Sequence, residues 1–414
     1  MQYKENVTHH CSFCQRNQNE VAKLIVSSEV AICDICFESI KDLLDKDRTK
    51  AKVKRIKTKI PNPAEIKNHL DQYVIGQDHA KIAMSVAVYN HYKRLHKNSL
   101  KSTTKIDKSN VLLLGPTGSG KTLMVKAIAN MINVPMVIGD ATTLTQAGYV
   151  GDDVENLLSK LLQAADGDLA QAQRGIVFID EIDKIARASE SASIGRDISG
   201  EGVQQAMLKM IEGHTIAVPI EPSKKLGMVD TVEMDTSQIL FVCSGAFVGL
   251  EKILEARQRN CSGIGFAAQL SNSKQVDWDN IVAQDLVKFG IIPELIGRLP
   301  IITHTQALDV TQLIKVLTEP KDSIIKQYQE LFAPIKLKFT TDSLESIADG
   351  ALKLGTGARS LRSILEKKLT PLQFKTSTNR DLTSITITKN FIEVNEEPLM
   401  KYKRSRKKEM NNER

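Results

Sequence analysis

Apolar and polar residues follow two different patterns along the chain. Between residues 110 and 243, short and nearly unbroken apolar runs alternate with stretches of helical spacing. The runs are NVLLLG (110–115), VPMVIG (134–139), GIVFID (175–180) and QILFVC (238–243). Apolar strands separated by helices are typical of a parallel sheet that is covered on both faces. We therefore predict an α/β domain over residues 64–305.

The pattern becomes helical beyond about residue 306. The stretches are LDVTQLIKVL, KDSIIKQYQELF, SLESIADGAL and GARSLRSILEKKL, and a strand-like ITITKNFIEV follows them. This pattern predicts a smaller, mostly helical domain over 306–395. The remaining segment, 396–414, contains the basic run KYKRSRKKEMNNER and is predicted to be a disordered tail.

The N-terminal segment, 1–44, carries two cysteine pairs, Cys11-x2-Cys14 and Cys33-x2-Cys36, with eighteen residues between them. This spacing fits a tetrahedral zinc site of four thiolates. So short a segment cannot build a core without the metal, and four thiolates leave no open position for catalysis, so the zinc is predicted to be structural. Residues 45–63 are charged, end in two prolines and are predicted to be a linker.

Composition excludes several classes of protein. The chain is 42% hydrophobic and 25% charged, which is typical of soluble globular proteins. No apolar stretch approaches the roughly 20 residues that span a bilayer. The start, MQYKENVTHHC, lacks the apolar segment of a secretory signal. We therefore expect a cytoplasmic protein without a membrane partner, in which paired cysteines bind metal rather than form disulfides.

A phosphate-binding loop directly follows the first apolar run. The sequence GPTGSGKT matches GxxxxGK[ST] between a predicted strand and the helical LMVKAIANMI. Backbone N–H groups and the helix N-terminus would hold the phosphates of ATP, while Lys121 reaches the β and γ phosphates and Thr122 holds Mg²⁺. The alternative is a glycine-rich turn without a ligand. The predicted nucleotide-binding residues here are Gly115, Pro116, Thr117, Gly118, Ser119, Gly120, Lys121, Thr122 and Leu123.

Two acids, Asp180 and Glu181, end the third apolar run. Ligands bind at the carboxyl ends of the strands in open parallel sheets. Asp180 would complete the magnesium shell, and Glu181 would orient and deprotonate the attacking water. The alternative is that the acids only cap the next helix. Their combination with the glycine loop favours ATP hydrolysis.

Hydrolysis also requires positive charge near the γ phosphate in the transition state. Two arginines are candidates, Arg298 in IPELIGRLP and Arg359 in GTGARSLR. Spacing alone does not distinguish them from ordinary surface arginines.

A set of motifs, together with the cysteine pairs, resembles the ClpX family of AAA+ unfoldases. The motifs are GPTGSGKT, FIDEIDKIAR, GYVGDDVENLL, RDISGEGVQQAMLKMIEG, IGF and GARSLR. The resemblance runs from about residue 9 to about residue 395. It implies an AAA+ module, with a parallel-sheet large domain and a mostly helical small domain, behind an N-terminal zinc-binding domain. It also implies a ring-shaped homohexamer with ATP between subunits.

The resemblance implies roles that spacing leaves undecided. Arg298 would be the arginine finger that acts on the ATP of a neighbouring subunit, and Arg359 the sensor arginine of the small domain. Val74 and Ile75, in DQYVIGQ, would line the adenine pocket, although plain core packing also explains them.

Two loops look like the family's contacts with other proteins. Tyr149 and Val150, in GYVG, would form the pore loop that grips substrate, whereas a turn with a buried tyrosine is the alternative. Ile264, Gly265 and Phe266 would dock on a ClpP-type peptidase, whereas a loop folded onto its own domain is the alternative. The cysteine module would dimerise and receive substrates or adaptor proteins.

Two segments depart from the family pattern. Ser223-Lys224-Lys225-Leu226 stands where the family has an Arg-Lys-His segment at the pore entrance, so recognition of degron termini is expected to differ. Ser244-Gly245 replaces the usual Gly-Gly, and the sequence alone gives this change no consequence.

The resemblance implies an ATP-dependent unfoldase that threads unfolded or degron-tagged proteins into a ClpP-type peptidase. A nucleic-acid motor is the main alternative, because the isoelectric point is about 8.9 and the tail is basic. However, GYVG offers no Lys or Arg to a phosphate backbone, so no specific nucleic-acid partner is expected. A zinc-dependent binding module that uses ATP as a switch is a third possibility, and Glu181 argues instead for turnover.

Overall fold

The computed structural model describes residues 10–27, 30–41, 60–99, 106–145, 152–153, 155–186, 200–219, 231–262, 277–379 and 381–403. The chain divides into two compact units, Met1–Lys59 and Ile60–Arg414. Within the described ranges, no helix is long and apolar enough to cross a membrane.

The first unit is a small zinc-finger-like fold. Strand β1 (Leu24–Val26) pairs antiparallel with β2 (Ala31–Cys33), and residues 34–41 are helical. Among the residues described in this unit, the buried side chains are Cys11, Ala31 and Cys33. The larger apolar side chains, such as Phe13 and Phe37, are exposed. The interior of this unit is therefore made of cysteine sulfurs rather than of packed apolar side chains.

The second unit contains the following described strands: β3 (Val111–Leu114), β4 (Met136–Asp140), β5 (Leu144–Thr145), β6 (Asp152–Asp153), β7 (Ile176–Asp180), β8 (Thr215–Pro219), β9 (Thr231–Asp235), β10 (Leu240–Gly245), β11 (Ile301–His304), β12 (Lys336–Phe339), β13 (Leu382–Ile387) and β14 (Leu399–Tyr402).

Its described helices are α1 (Pro63–Asp71), α2 (Asp78–Ser99), α3 (Lys121–Ile132), α4 (Asn156–Ala164), α5 (Leu169–Ala172), α6 (Glu201–Glu212), α7 (Leu250–Ser262), α8 (Ala283–Phe289), α9 (Pro293–Gly297), α10 (Val310–Thr318), α11 (Ile324–Leu331), α12 (Thr341–Lys353), α13 (Arg359–Thr376) and α14 (Lys389–Val394).

The main sheet is parallel throughout, with the strand order β11-β3-β10-β7-β4. The four apolar runs form β3, β4, β7 and β10, so the predicted parallel sheet is confirmed. The edge strand β11 was not predicted, because only two apolar residues, Ile301 and Ile302, begin it.

Both faces of this sheet are buried, as its apolar runs predict. Successive strand residues point to opposite faces. Leu112, Ile179 and Phe241 belong to one cluster of buried side chains, whereas their neighbours Leu113 and Phe178 belong to another. Helices α1, α2 and α3 supply the second cluster, and α4, α6 and α7 contribute to the first. The carboxyl ends of the strands are thus left free to hold a ligand.

The C-terminal part of the second unit has its own core. Sheet β12-β13-β14 packs with α10 to α14 around buried residues such as Leu313, Ile347 and Leu365. The predicted helical segments correspond to α10 to α13. The predicted strand ITITKNFIEV is wrong in its second half: Thr388 accepts a hydrogen bond from Phe391 N and so starts helix α14.

Two predicted boundaries also need correction. The predicted tail, 396–414, contains strand β14, which pairs antiparallel with β13; residues 404–414 lie outside the described residues. The predicted linker, 45–63, ends in ordered chain, because Asn62 and Glu65 form a reciprocal cap that starts α1. Ile60 already packs against the core.

Candidate nucleotide and zinc sites

The glycine loop connects the end of β3 with the start of α3, as the motif requires. Its lysine points back into the loop: Nζ of Lys121 donates to the carbonyl oxygens of Gly115 at 2.6 Å and Pro116 at 3.0 Å. Thr122 is half-buried and Leu123 is exposed. The loop therefore concentrates backbone donors and one buried ammonium group at the helix N-terminus, which is the arrangement that binds phosphate.

Two acids partly offset the burial of the charge on Lys121. Burial lowers the pKa of Lys121, while the carboxylates of Asp180 and Asp183 act in the opposite direction. The guanidinium of Arg359 also lowers this pKa, so Arg359 lies close enough to influence the loop. Two further predicted catalytic residues, Asp180 and Arg359, therefore lie close enough to Lys121 to affect its pKa.

Thr305, which directly follows the edge strand β11, contacts the phosphate loop. Thr305 N donates to Leu114 O at 2.8 Å, and Thr305 Oγ1 lies 2.7 Å from Ser119 Oγ. Ser119 Oγ also donates to Pro116 O at 2.8 Å. A Cβ atom at Gly115 would lie 2.1 Å from Thr305 Oγ1, so the motif requires glycine there. Thr305 was missed by sequence reasoning because the strand before it was missed.

The loop that precedes α13 packs directly on the glycine loop. Gly118 has a φ of +78°, and a Cβ atom there would lie 2.4 Å from Thr356 O and 2.9 Å from Ala358 N. Ala358 N donates to Gly118 O at 3.3 Å. Since Arg359 follows Ala358 in the chain, the helical part of the unit places this arginine beside the phosphate loop.

The two predicted acids lie at the end of β7. Asp180 Oδ1 accepts hydrogen bonds from Ser244 Oγ at 2.7 Å and from Glu181 N at 3.0 Å. Glu181 is exposed and adopts a left-handed backbone with φ of 59°, which is strained for a residue other than glycine and is common at functional sites. The Glu181 side chain is thus open to water.

Ser244 is the functional residue that sequence reasoning noticed without explaining. It lies on β10, between β3 and β7, and is fully buried. Its hydroxyl fixes one oxygen of Asp180 and leaves the second oxygen available to a ligand. The hydroxyl of Thr122 and the carboxylate of Asp180 are oxygen donors of the kind that suits Mg²⁺.

The predicted adenine residues lie next to the loop. Val74 is buried, and a Cβ atom at Gly120 would lie 3.4 Å from Val74 Cγ1. Ile75 is half-buried. Val74 also belongs to the core cluster under the sheet, so it contacts the loop and packs in the core at once.

Arg298 forms an exposed ion pair with Glu212. Its Nη2 and Nε atoms donate to Glu212 Oε1 at 2.9 and 3.2 Å, and its side chain is 54% exposed. A hydrogen bond from His214 and the Arg298 guanidinium together lower the pKa of Glu212, so this carboxylate stays ionised. Arg298 is therefore held in a defined direction and remains exposed to solvent.

Several predicted residues lie outside the described residues. They are Tyr149 and Val150 of the pore loop, Ile264, Gly265 and Phe266 of the partner loop, and Lys224, Lys225 and Leu226. Their predicted roles stay predictions.

The four cysteines of the first unit meet at one point. The sulfurs of Cys11, Cys14, Cys33 and Cys36 all lie within 4.8 Å of one another, and those of Cys14 and Cys33 are 3.6 Å apart. Tetrahedral zinc with bonds of about 2.3 Å separates its sulfurs by about 3.8 Å, so the cluster fits this ion. Backbone N–H groups donate to two of the sulfurs, those of Cys11 and Cys33.

Comparison with known proteins agrees with this geometry. The family described as AAA domain (Cdc48 subfamily) matches residues 106–302, and the family described as ClpX C4-type zinc finger matches residues 9–46. The ATP-dependent Clp protease ATP-binding subunit ClpX of Borrelia duttonii (strain Ly) is 47% identical over 399 residues, which covers 94% of this chain and 92% of the relative. The protein of the same name from Borrelia recurrentis (strain A1) gives the same figures. The chain therefore belongs to the ClpX family and is an AAA ATPase with a four-cysteine zinc finger.

Proposed function

We propose that this ATPase unfolds and translocates proteins, and that it delivers them to a ClpP-type peptidase. The observation that carries the proposal is the contact between the phosphate loop and the loop of the helical part at Thr356 to Ala358. Binding or release of phosphates at Gly118 must act on both loops, because the two loops are in direct contact. Hydrolysis can thus move one part of the subunit against the other. The relatives are named as ATP-binding subunits of an ATP-dependent protease, which supports the same activity.

In the proposed reaction, each residue has a separate task. The Lys121 ammonium moves from the loop carbonyls to the β and γ phosphates. Thr122 and Asp180 hold Mg²⁺, which neutralises charge on the phosphates when bound. Ser244 keeps Asp180 in place. Glu181, with its open carboxylate, orients the attacking water and accepts its proton.

Positive charge in the transition state is proposed to come from two directions. Arg359 acts within its own subunit, from the start of α13 beside the phosphate loop. Arg298 acts on the ATP of a neighbouring subunit, which requires a ring of identical chains, and we propose a homohexamer. The ion pair with Glu212 supports this role, since it keeps an exposed guanidinium oriented before assembly.

Contacts with other proteins are proposed from the sequence motifs. Tyr149 and Val150 grip the substrate chain in the pore, and the segment with Lys224 and Lys225 meets degron termini at its entrance. Ile264 and Phe266 insert into apolar pockets of the peptidase. The zinc finger receives substrates or adaptor proteins. We place this activity in the cytoplasm.

The first prediction concerns the serine that holds the metal ligand. Ser244→Ala should lower the rate of ATP hydrolysis by roughly tenfold, because a hydrogen bond to a charged group contributes about 1.5–3 kcal/mol. It should also raise the Mg²⁺ concentration needed for half-maximal activity. Steady-state ATPase measurements at varied Mg²⁺ test both effects.

The matched control for this prediction is Ser346→Ala. Ser346 Oγ also donates to a carboxylate, that of Glu393 at 2.9 Å, but on the exposed surface of the helical part. This variant should hydrolyse ATP like the unmutated protein. If Ser244→Ala and Ser346→Ala showed the same rate and the same Mg²⁺ requirement, the positioning role of Ser244 would be wrong.

The second prediction concerns the arginine finger. Arg298→Ala and Glu181→Gln should each abolish most hydrolysis. Rings that contain both variants should recover part of the hydrolysis. At some of their interfaces, an intact Glu181 on one subunit then faces an intact Arg298 on its neighbour. ATPase activity is measured across mixing ratios, with Arg259→Ala, which removes an exposed arginine paired with Glu255, as the control that retains activity. Mixed rings without any activity would contradict action between subunits.

The third prediction tests the proposed function itself. Tyr149→Ala should hydrolyse ATP normally yet fail to unfold a stable, tagged fluorescent protein, because grip is lost while the phosphate site is intact. Phe266→Ala should retain hydrolysis and unfolding yet lose degradation by added ClpP, since each lost ring removes roughly 1.5–3 kcal/mol of docking energy at every subunit. Fluorescence loss and peptide release are the two measurements.

A control variant for the pore loop is Tyr402→Ala, which removes an exposed tyrosine from strand β14. It should unfold the substrate at the unmutated rate. Unfolding by Tyr149→Ala at that same rate would count against the pore role. ATPase stimulated by DNA, together with an absence of unfolding by the unmutated protein, would support a nucleic-acid motor instead.

A further inference from the structure

Three potential metal ligands meet near the edge strand of the main sheet in the second unit. His79 lies in the first turn of α2, Asp279 in the short 3-10 turn Trp278–Asn280, and His304 at the end of β11. One ligand atom of each residue lies within 4.8 Å of the others. Three separate elements therefore direct two imidazoles and one carboxylate to a single point.

The distances within this cluster suit an ion better than direct hydrogen bonds. Asp279 Oδ1 lies 3.8 Å from His79 Nε2 and 3.8 Å from His304 Nδ1. Hydrogen bonds between nitrogen and oxygen are about 2.7–3.2 Å long. Two bonds of about 2.1 Å to a shared metal ion span up to about 4.2 Å, so an ion fits between Asp279 and each of the two histidines.

Neighbouring groups contact all three residues. The hydroxyl of Thr303 lies 3.3 Å from Nδ1 of His79, which leaves Nε2 of this imidazole directed toward Asp279. Asp277 Oδ1 accepts a hydrogen bond from Asp279 N at 3.0 Å and caps the turn. His304 is 5% exposed and stacks on Trp278, with 6.1 Å between the ring centroids. Supporting contacts of this kind hold the ligands in metal sites.

We propose that His79, Asp279 and His304 bind a divalent transition-metal ion, of the class that includes zinc, nickel and cobalt. Two imidazoles and one carboxylate are typical ligands for these metals, whereas calcium and magnesium prefer oxygen alone. His79 and Asp279 are 58% and 70% exposed, so the ion reaches the site from solvent and retains water on its open side.

The position of the site connects it with the nucleotide loop. His304 directly precedes Thr305, which supports Gly115 and Ser119. Two hydrogen bonds, each 2.8 Å long, already join Gln77 to Gln306 on the same side. A bound ion would fasten the start of α2 to the end of β11 at the base of the phosphate loop.

The single tryptophan of the chain reports on this site. Trp278 is the one tryptophan among 414 residues, and its ring stacks on the proposed ligand His304. Full-length protein with zinc already in its cysteine site is titrated with Ni²⁺ while tryptophan fluorescence is recorded. We expect saturable quenching with one equivalent of Ni²⁺, and we expect excess Zn²⁺ to reverse it, because Zn²⁺ has a filled d shell and competes without quenching.

Two exposed ligands allow substitutions that spare the fold. His79→Gln and Asp279→Asn should each raise the Ni²⁺ midpoint by on the order of tenfold or more, since even outer contacts of a metal site change affinity by about 10–100-fold. His214→Gln is the control: His214 is also an exposed histidine beside a carboxylate, that of Glu212, and this variant should titrate like the unmutated protein.

Quenching that does not saturate would overturn the proposal. So would an unchanged midpoint in Asp279→Asn, which would show that Asp279 is not a ligand of the ion. A midpoint shifted equally by His214→Gln would show that Ni²⁺ binds to surface histidines in general.

Discussion

The structure depends on the close packing between the phosphate loop and the loop at 355–358. Gly118 and Gly357 meet without space for a side chain on either: a Cβ atom at Gly118 would lie 2.4 Å from Thr356 O, and one at Gly357 would lie 2.8 Å from Thr117 O. On its other side, the phosphate loop rests on Thr305. The candidate nucleotide site is thus bordered by loops from both the α/β part and the helical part of the unit.

Charged side chains surround this contact between the two loops, so a bound nucleotide would change the forces that act across it. Lys121 is buried against loop carbonyls, and the acids at Asp180 and Asp183 partly offset the burial of its charge. Arg359 adds positive charge from the helical part. A bound triphosphate brings negative charge to a place where two cations already converge from two parts of the unit. This convergence gives a physical reason why binding and release of phosphate would change how the parts pack.

The sequence allowed the parts of the site that belong to continuous motifs to be predicted. Runs of buried residues identified β3, β4, β7 and β10, and the spacing of cysteines identified a cluster whose sulfurs the structure brings together. The predicted boundaries of the linker and the tail were wrong, because one helix cap and one strand pairing determine where these boundaries lie. Asn62 caps helix α1 within the predicted linker, and β14, within the predicted tail, pairs with β13.

The remaining features depend on the order of strands in space, which no local pattern specifies. Ser244 contacts Asp180 because β10 lies between β3 and β7, although the two residues are 64 positions apart. Thr305 supports the phosphate loop because the short strand β11 joins the sheet beside β3. His79 and His304 come together for the same reason, since α2 packs across the end of that strand.

The shared nucleotide site is tested most directly by the affinity for ATP of two glycine variants in one loop. Gly357 and Gly355 have similar backbones, with φ of +57° and +66°, but a Cβ atom at Gly355 would meet nothing within 4 Å. Gly357→Ala should weaken ATP binding by roughly tenfold or more, because relieving such a clash requires about 1–3 kcal/mol. Gly355→Ala carries the same backbone strain and should bind ATP within about twofold of the unmutated protein. Equal ATP dissociation constants for the two variants would contradict the account.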